Sequence, residues 1–75
     1  MNWRDHISVD PNICHGTACI RGTRVMVSVV LDNLAAGESP KAIATSYRIS
    51  EDDVQAALQY AGELARERVV PLSAV

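Results

Sequence analysis

The segment Ser39–Leu58 reads SPKAIATSYRISEDDVQAAL, and its pattern is that of two helices joined by a turn of about three residues, the layout of a helix-turn-helix unit. Ser39 suits the N-cap, because its hydroxyl can accept an unpaired backbone N–H, and Pro40 at the first helical position gives up no useful donor. The first helix of the pair is expected over Pro40–Tyr47. Ser50 caps the next one, with Glu51, Asp52 and Asp53 in the first turn, where the positive end of the helix dipole favours carboxylates. Ile43, Ala44, Tyr47, Ile49, Val54 and Ala57 fall where such a unit packs one helix across the other, and Ala44 is small at the point of closest approach. Arg48 stands where many such turns carry a left-handed glycine. That conformation costs a residue with a Cβ roughly 1 kcal/mol or more, so a remodelled turn is expected.

Upstream, Val27, Val30, Leu31 and Leu34 recur at helical spacing and form one apolar stripe, which Gly37 can terminate. Downstream, the third helix presents Val54, Ala57, Leu58 and Ala61, loosens at Gly62, continues toward Arg68, and cannot run far past Pro71. Before residue 26 the pattern changes to short β-branched segments between the turn signals Asp10-Pro11-Asn12, His15-Gly16-Thr17 and Arg21-Gly22-Thr23. Ile7–Val9 is expected as a strand. Ala18–Ile20 and Thr23–Val25 are expected to form a hairpin about Arg21-Gly22, with Gly22 at positive φ. The chain thus divides into a strand and turn region (1–26), three helices (27–68) and a tail (69–75), and its fold class is mainly α.

At 75 residues and 8.1 kDa there is room for one small domain, which excludes two-domain enzymes. A chain of this size hides only about 60% of its unfolded surface, so its core is thin and help from a second copy through the residue 7–25 ribbon is expected. Apolar residues at 48% and charged ones at 21% are a globular composition, and the aromatic supply is only Trp3, Tyr47 and Tyr60, so the core must be aliphatic. A net charge of −2 gives no global attraction for nucleic acid. Any phosphate contact must come from a local set, for which Arg21, Arg24, Lys41 and Arg48 are the candidates. The acidic start of the third helix, Glu51 to Asp53, would repel a groove lined by phosphates, so base reading by that helix is not expected.

No apolar run approaches the length of a membrane span, and MNWRDHIS has no apolar signal region, so a cytoplasmic protein is expected. Cys14 and Cys19 could close only a tiny loop and are expected as two reduced thiols. His6, Cys14, His15 and Cys19 lack the paired spacing of a zinc site, and adjacent Cys14 and His15 cannot readily aim at each other as a nucleophile and base. No metal, cofactor or catalytic residue is expected.

Asp10-Pro11-Asn12-Ile13-Cys14-His15-Gly16, Cys19-Ile20-Arg21-Gly22-Thr23-Arg24-Val25, Val27-Ser28, Leu34-Ala35-Ala36-Gly37 and Ala56-Ala57-Leu58-Gln59-Tyr60-Ala61, in this order, closely resemble the domain of unknown function 433 family. Thr17-Ala18 departs from a more usual Lys-Pro. The resemblance implies a short β-ribbon followed by a homeodomain-like tri-helical helix-turn-helix unit. It also implies the antitoxin of a type II toxin-antitoxin pair, with a PIN-like ribonuclease toxin as partner and operator DNA as a second target. On that footing Leu64, Arg66, Glu67, Val69, Val70 and Leu72, beyond the compact core, are the candidate toxin-binding residues. The alternatives are a dimeric helix-turn-helix regulator without a toxin and, more remotely, a small metal- or thiol-dependent enzyme.

Overall fold

The computed structural model describes residues 1–69, 71 and 72. A 3-10 turn at Trp3–Asp5 leads into β1 (Ile7–Asp10) and β2 (Ile13–Ile20), followed by α1 (Val27–Ala35), α2 (Pro40–Tyr47) and α3 (Glu51–Glu67). The two strands pair antiparallel, Ile7 opposite Ile20, Ser8 opposite Cys19 and Val9 opposite Ala18. Ile7, Ile20, Val27, Val30, Ile43, Val54, Ala56 and Ala57 form one buried cluster where the ribbon lies on the three helices. No helix among the described residues is long and apolar enough to cross a membrane.

The helices end as their local chemistry requires. Gly37, at φ 94°, closes α1 with paired bonds, its own N–H to the Leu34 carbonyl and that of Glu38 to Asn33, each at 3.0 Å. Ser39 caps α2 by accepting the Ala42 N–H at 3.1 Å. Ser50 and Asp53 form a reciprocal capping box at the start of α3. The α2–α3 turn is not remodelled. Arg48 adopts the left-handed conformation itself (φ 56°, ψ 44°), and the Ile49 N–H reaches back to Ala44 at 3.0 Å. Because the local geometry demands positive φ, Arg48→Gly is expected to stabilise the fold by about 0.5–1 kcal/mol, a rise of several degrees in Tm. A fall in Tm would show that the Arg48 side chain holds the turn.

Four further expectations are corrected. The hairpin turns at Pro11-Asn12, where the Asp10 carboxylate accepts the Asn12 N–H at 2.8 Å, and not between two strands flanking Arg21-Gly22. The latter is a tight turn, with Thr23 N–H to Ile20 O at 3.0 Å and Gly22 at φ 79°, followed by a lone bridge from Cys19 to Met26, because the chain must enter α1 at Val27. On α3, Leu58 is 41% exposed while Ala56 is buried, since Trp3 and the ribbon cover a second side of that helix. The helix also passes Gly62 without a break. Cys14 and Cys19, expected as thiols, are joined as a disulfide with their Cα atoms 7.0 Å apart. The cause is a bulge. Between the pairs Val9–Ala18 and Asp10–Ile13 the residues 14–17 have no partners, and Cys14, His15 and Gly16 all take positive φ, which curls the strand back on itself.

Candidate interaction surface

The four candidate cations divide. Arg21 is exposed but already engaged, its Nε donating to the Asp5 carbonyl at 3.0 Å and its Nη2 to the carbonyls of Ile7 at 2.9 Å and Arg4 at 3.3 Å. Its guanidinium therefore ties the N-terminal turn to the ribbon end. Arg24 is exposed beside two shallow grooves, one shared with Ile13 and Thr23, the other with Pro11 and His15. Lys41 is exposed in the first turn of α2 and Arg48 is exposed at its C-cap.

The acidic trio divides too. Glu51 and Asp52 face solvent, but Asp53 is a structural group. One of its carboxylate oxygens accepts the Ser50 N–H at 2.9 Å and the other lies 2.8 Å from His6 Nδ1, 47 positions away. Burial alone would raise this carboxyl's pKa. The Ser50 N–H, the hydrogen bonds from His6 and the Ser50 hydroxyl network, and the charge of His6 outweigh it and hold Asp53 below the ordinary value of 3.8. Nothing in the local sequence marks His6 as its partner.

An apolar groove of about 360 Å³ lies between the ribbon, α1 and the last turns of α3. Val9, Ala18, Leu31, Tyr60 and Leu64 line it with Gly16 and Thr17, and no lining residue carries a charge. Val9 is 61% exposed on its rim. Trp3 packs against Tyr60 with ring centroids 5.5 Å apart and planes tilted by 59°, and the Arg4 guanidinium lies 4.5 Å above the indole. A second groove is lined by Trp3 and by α3, where Leu58 is exposed beside Gly62.

Of the candidate C-terminal residues, Leu64 lies in the apolar groove. Arg66 makes an exposed ion pair with Glu63 at 2.7 Å, a contact of small energetic value, and Glu67 ends α3 in solvent. Val69 and Leu72 are 90% and 89% exposed, and Val70 lies outside the described residues. Among the described residues no three His, Cys, Asp or Glu side chains converge as a metal site would require.

The family profile described as "Protein of unknown function (DUF433)" matches residues 7–61. No curated protein matches the chain. Among solved structures, a DUF433 member protein from Anabaena variabilis is similar at a TM-score of 0.76 and 26% identity, over 85% of this chain and 64% of that one. Rv2018 from Mycobacterium tuberculosis is similar at a TM-score of 0.68 and 31% identity, over 76% of this chain and only 27% of that one. The chain thus spans less than two thirds of the length of either relative. The matched segment runs from the first residue of β1 through most of α3, and the chain belongs to the DUF433 family.

Proposed function

We propose that the chain is a non-enzymatic binding module of the cytoplasm, the antitoxin of a type II pair that neutralises a PIN-like ribonuclease. The observations that carry this reading are the uncharged groove from Val9 to Leu64 and, past the end of α3, Val69 and Leu72, two apolar side chains with almost no cover. Apolar surface left open at a helix end and continued into a tail is what coupled ordering and binding uses, since the cost of ordering the tail is met by burial against a partner. Leu64, Val69, Val70 and Leu72 supply the apolar contacts, and Arg66 and Glu67 the charged rim. The mainly apolar face also suits a homodimer formed through the ribbon, in which β1 carries no second strand on its outer edge.

Deleting residues 69–75 is expected to keep the fold, because none of the described tail residues belongs to the buried cluster, while weakening nuclease binding at least about tenfold, or roughly 1.4 kcal/mol. Calorimetric titration of the truncated chain decides this: unchanged affinity would remove the tail from the site.

A second reading, operator binding through the α2–turn–α3 helix-turn-helix, is favoured by the exposure of Lys41 and Arg48 at the two ends of α2. Arg24 is a further phosphate contact, whereas Arg21 is occupied by carbonyls. The salt dependence of operator affinity tests it, provided that only Glu51 and Asp52 are neutralised for comparison and Asp53 is left to hold its cap.

A further inference from the structure

We propose that Cys14 and Cys19 form a reversible thiol–disulfide clasp that sets the shape of the groove between Val9 and Leu64. In an uninterrupted strand, residues five apart stand about 16 Å from one another and on opposite faces. Here the Cα atoms are 7.0 Å apart because the four unpaired residues between Ile13 and Ala18 curl through a left-handed turn. Two of the three positive-φ residues in that turn, Cys14 at 52° and His15 at 54°, carry a Cβ and are costly to hold there. Two contacts keep the turn closed: the disulfide, and the Thr17 hydroxyl donating to the Cys14 carbonyl at 2.6 Å.

The two ends of the clasp differ. Cys19 is fully buried and pinned by Ser8 on one side and the Met26 bridge on the other, so it is the fixed end. Cys14 is part-exposed and sits in the unpaired bulge, so it is the end that moves. Gly16 and Thr17, in the same bulge, line the apolar groove directly. Cutting the bond frees Cys14 and His15 to leave the left-handed region, and that wall of the groove shifts with them.

The exchange is balanced with a low-molecular-weight thiol of the glutathione class. Its thiolate attacks Cys14 Sγ, the accessible sulfur, forming a mixed disulfide and expelling the Cys19 thiolate, which takes up a proton. A second thiolate then attacks the mixed disulfide at its own sulfur, releasing the small disulfide and the Cys14 thiolate, which is protonated in turn. Two small thiols are oxidised and one protein disulfide is reduced, and a low-molecular-weight disulfide drives the reverse. In a thiol-rich compartment the clasp is open, and an oxidative challenge closes it. The consequence for partner binding rests on the function proposed above, whereas the clasp itself is tested without any partner.

Hydrogen–deuterium exchange on the full chain, after treatment with oxidised glutathione or with dithiothreitol, is the experiment. Oxidised protein is expected to take up no iodoacetamide, and reduction is expected to speed exchange at residues 14–17 at least about tenfold while α3 residues 54–61 stay unchanged. Cys14→Ala should match the reduced chain and ignore dithiothreitol; if that variant fails to fold, the two states of the unmodified chain still give the comparison. Two alkylated thiols after the oxidant, equal exchange in both states, or exchange that rises across all three helices on reduction would each overturn the proposal. The last of these would make the bond a staple of the whole fold.

Discussion

Replacing Ile20 with alanine is expected to cost about 3–4 kcal/mol, the range for deleting a fully buried branched side chain whose site cannot collapse. Ile20 is among the largest fully buried side chains and lies where the ribbon meets Val27, Val30, Ile43 and Val54. Its backbone is equally fixed: the N–H donates to Val25 at 2.9 Å, and the carbonyl accepts both the Thr23 N–H at 3.0 Å and the Thr23 hydroxyl at 2.8 Å. The surrounding side chains are short aliphatics on elements tied at both ends, so the vacated space stays open. A domain of this size has a total stability on the order of 4–11 kcal/mol, and the loss is therefore a large part of it. Thermal melting followed by circular dichroism should show a drop of about 12–25 °C. A drop equivalent to less than about 1 kcal/mol would mean that the ribbon is not seated on the helices as described.

Asp53→Ala is expected to be the next most damaging change, at about 2–3 kcal/mol, because it removes a capping carboxylate and the tie from α3 to His6 together. The pH dependence follows from the lowered carboxyl. A group whose pKa is lower in the folded than in the unfolded chain contributes stability that is fully present above the unfolded value, near 3.8, and is lost as pH falls through the folded value. In urea titrations the gap between the unmodified chain and Asp53→Ala should thus be wide at neutral pH and narrow steadily below about pH 4. A gap that stays constant down to about pH 2 would assign the damage to packing and not to the ionised carboxylate.

These two side chains also mark how far the fold is legible in sequence. The helices are legible because their signals are local: the Val27–Leu34 stripe, Gly37 after α1, Ser39-Pro40 before α2 and Ser50 before α3 all do in the structure what their chemistry suggests. Arg48 shows the limit of a local rule. Its penalty is real, but the turn between two packed helices fixes the conformation and Arg48 accepts it. The ribbon is harder, because its register depends on a bulge in which Cys14 and His15 take conformations that nothing in their own propensities favours. The site is harder still. His6 and Asp53 meet across 47 positions, and an arginine that donates to main-chain carbonyls, as Arg21 does, looks in sequence like one that waits for a phosphate. The groove from Val9 to Leu64 draws on both strands and two helices, so no single periodicity outlines it.

If the surface neutralises a nuclease as proposed, RNA cleavage by a candidate PIN-like ribonuclease partner, followed as purified chain is added, reads it out directly. Cleavage is expected to fall to background near one equivalent of the chain. Undiminished cleavage at about a tenfold excess of correctly folded chain, under both reducing and oxidising conditions, would contradict it.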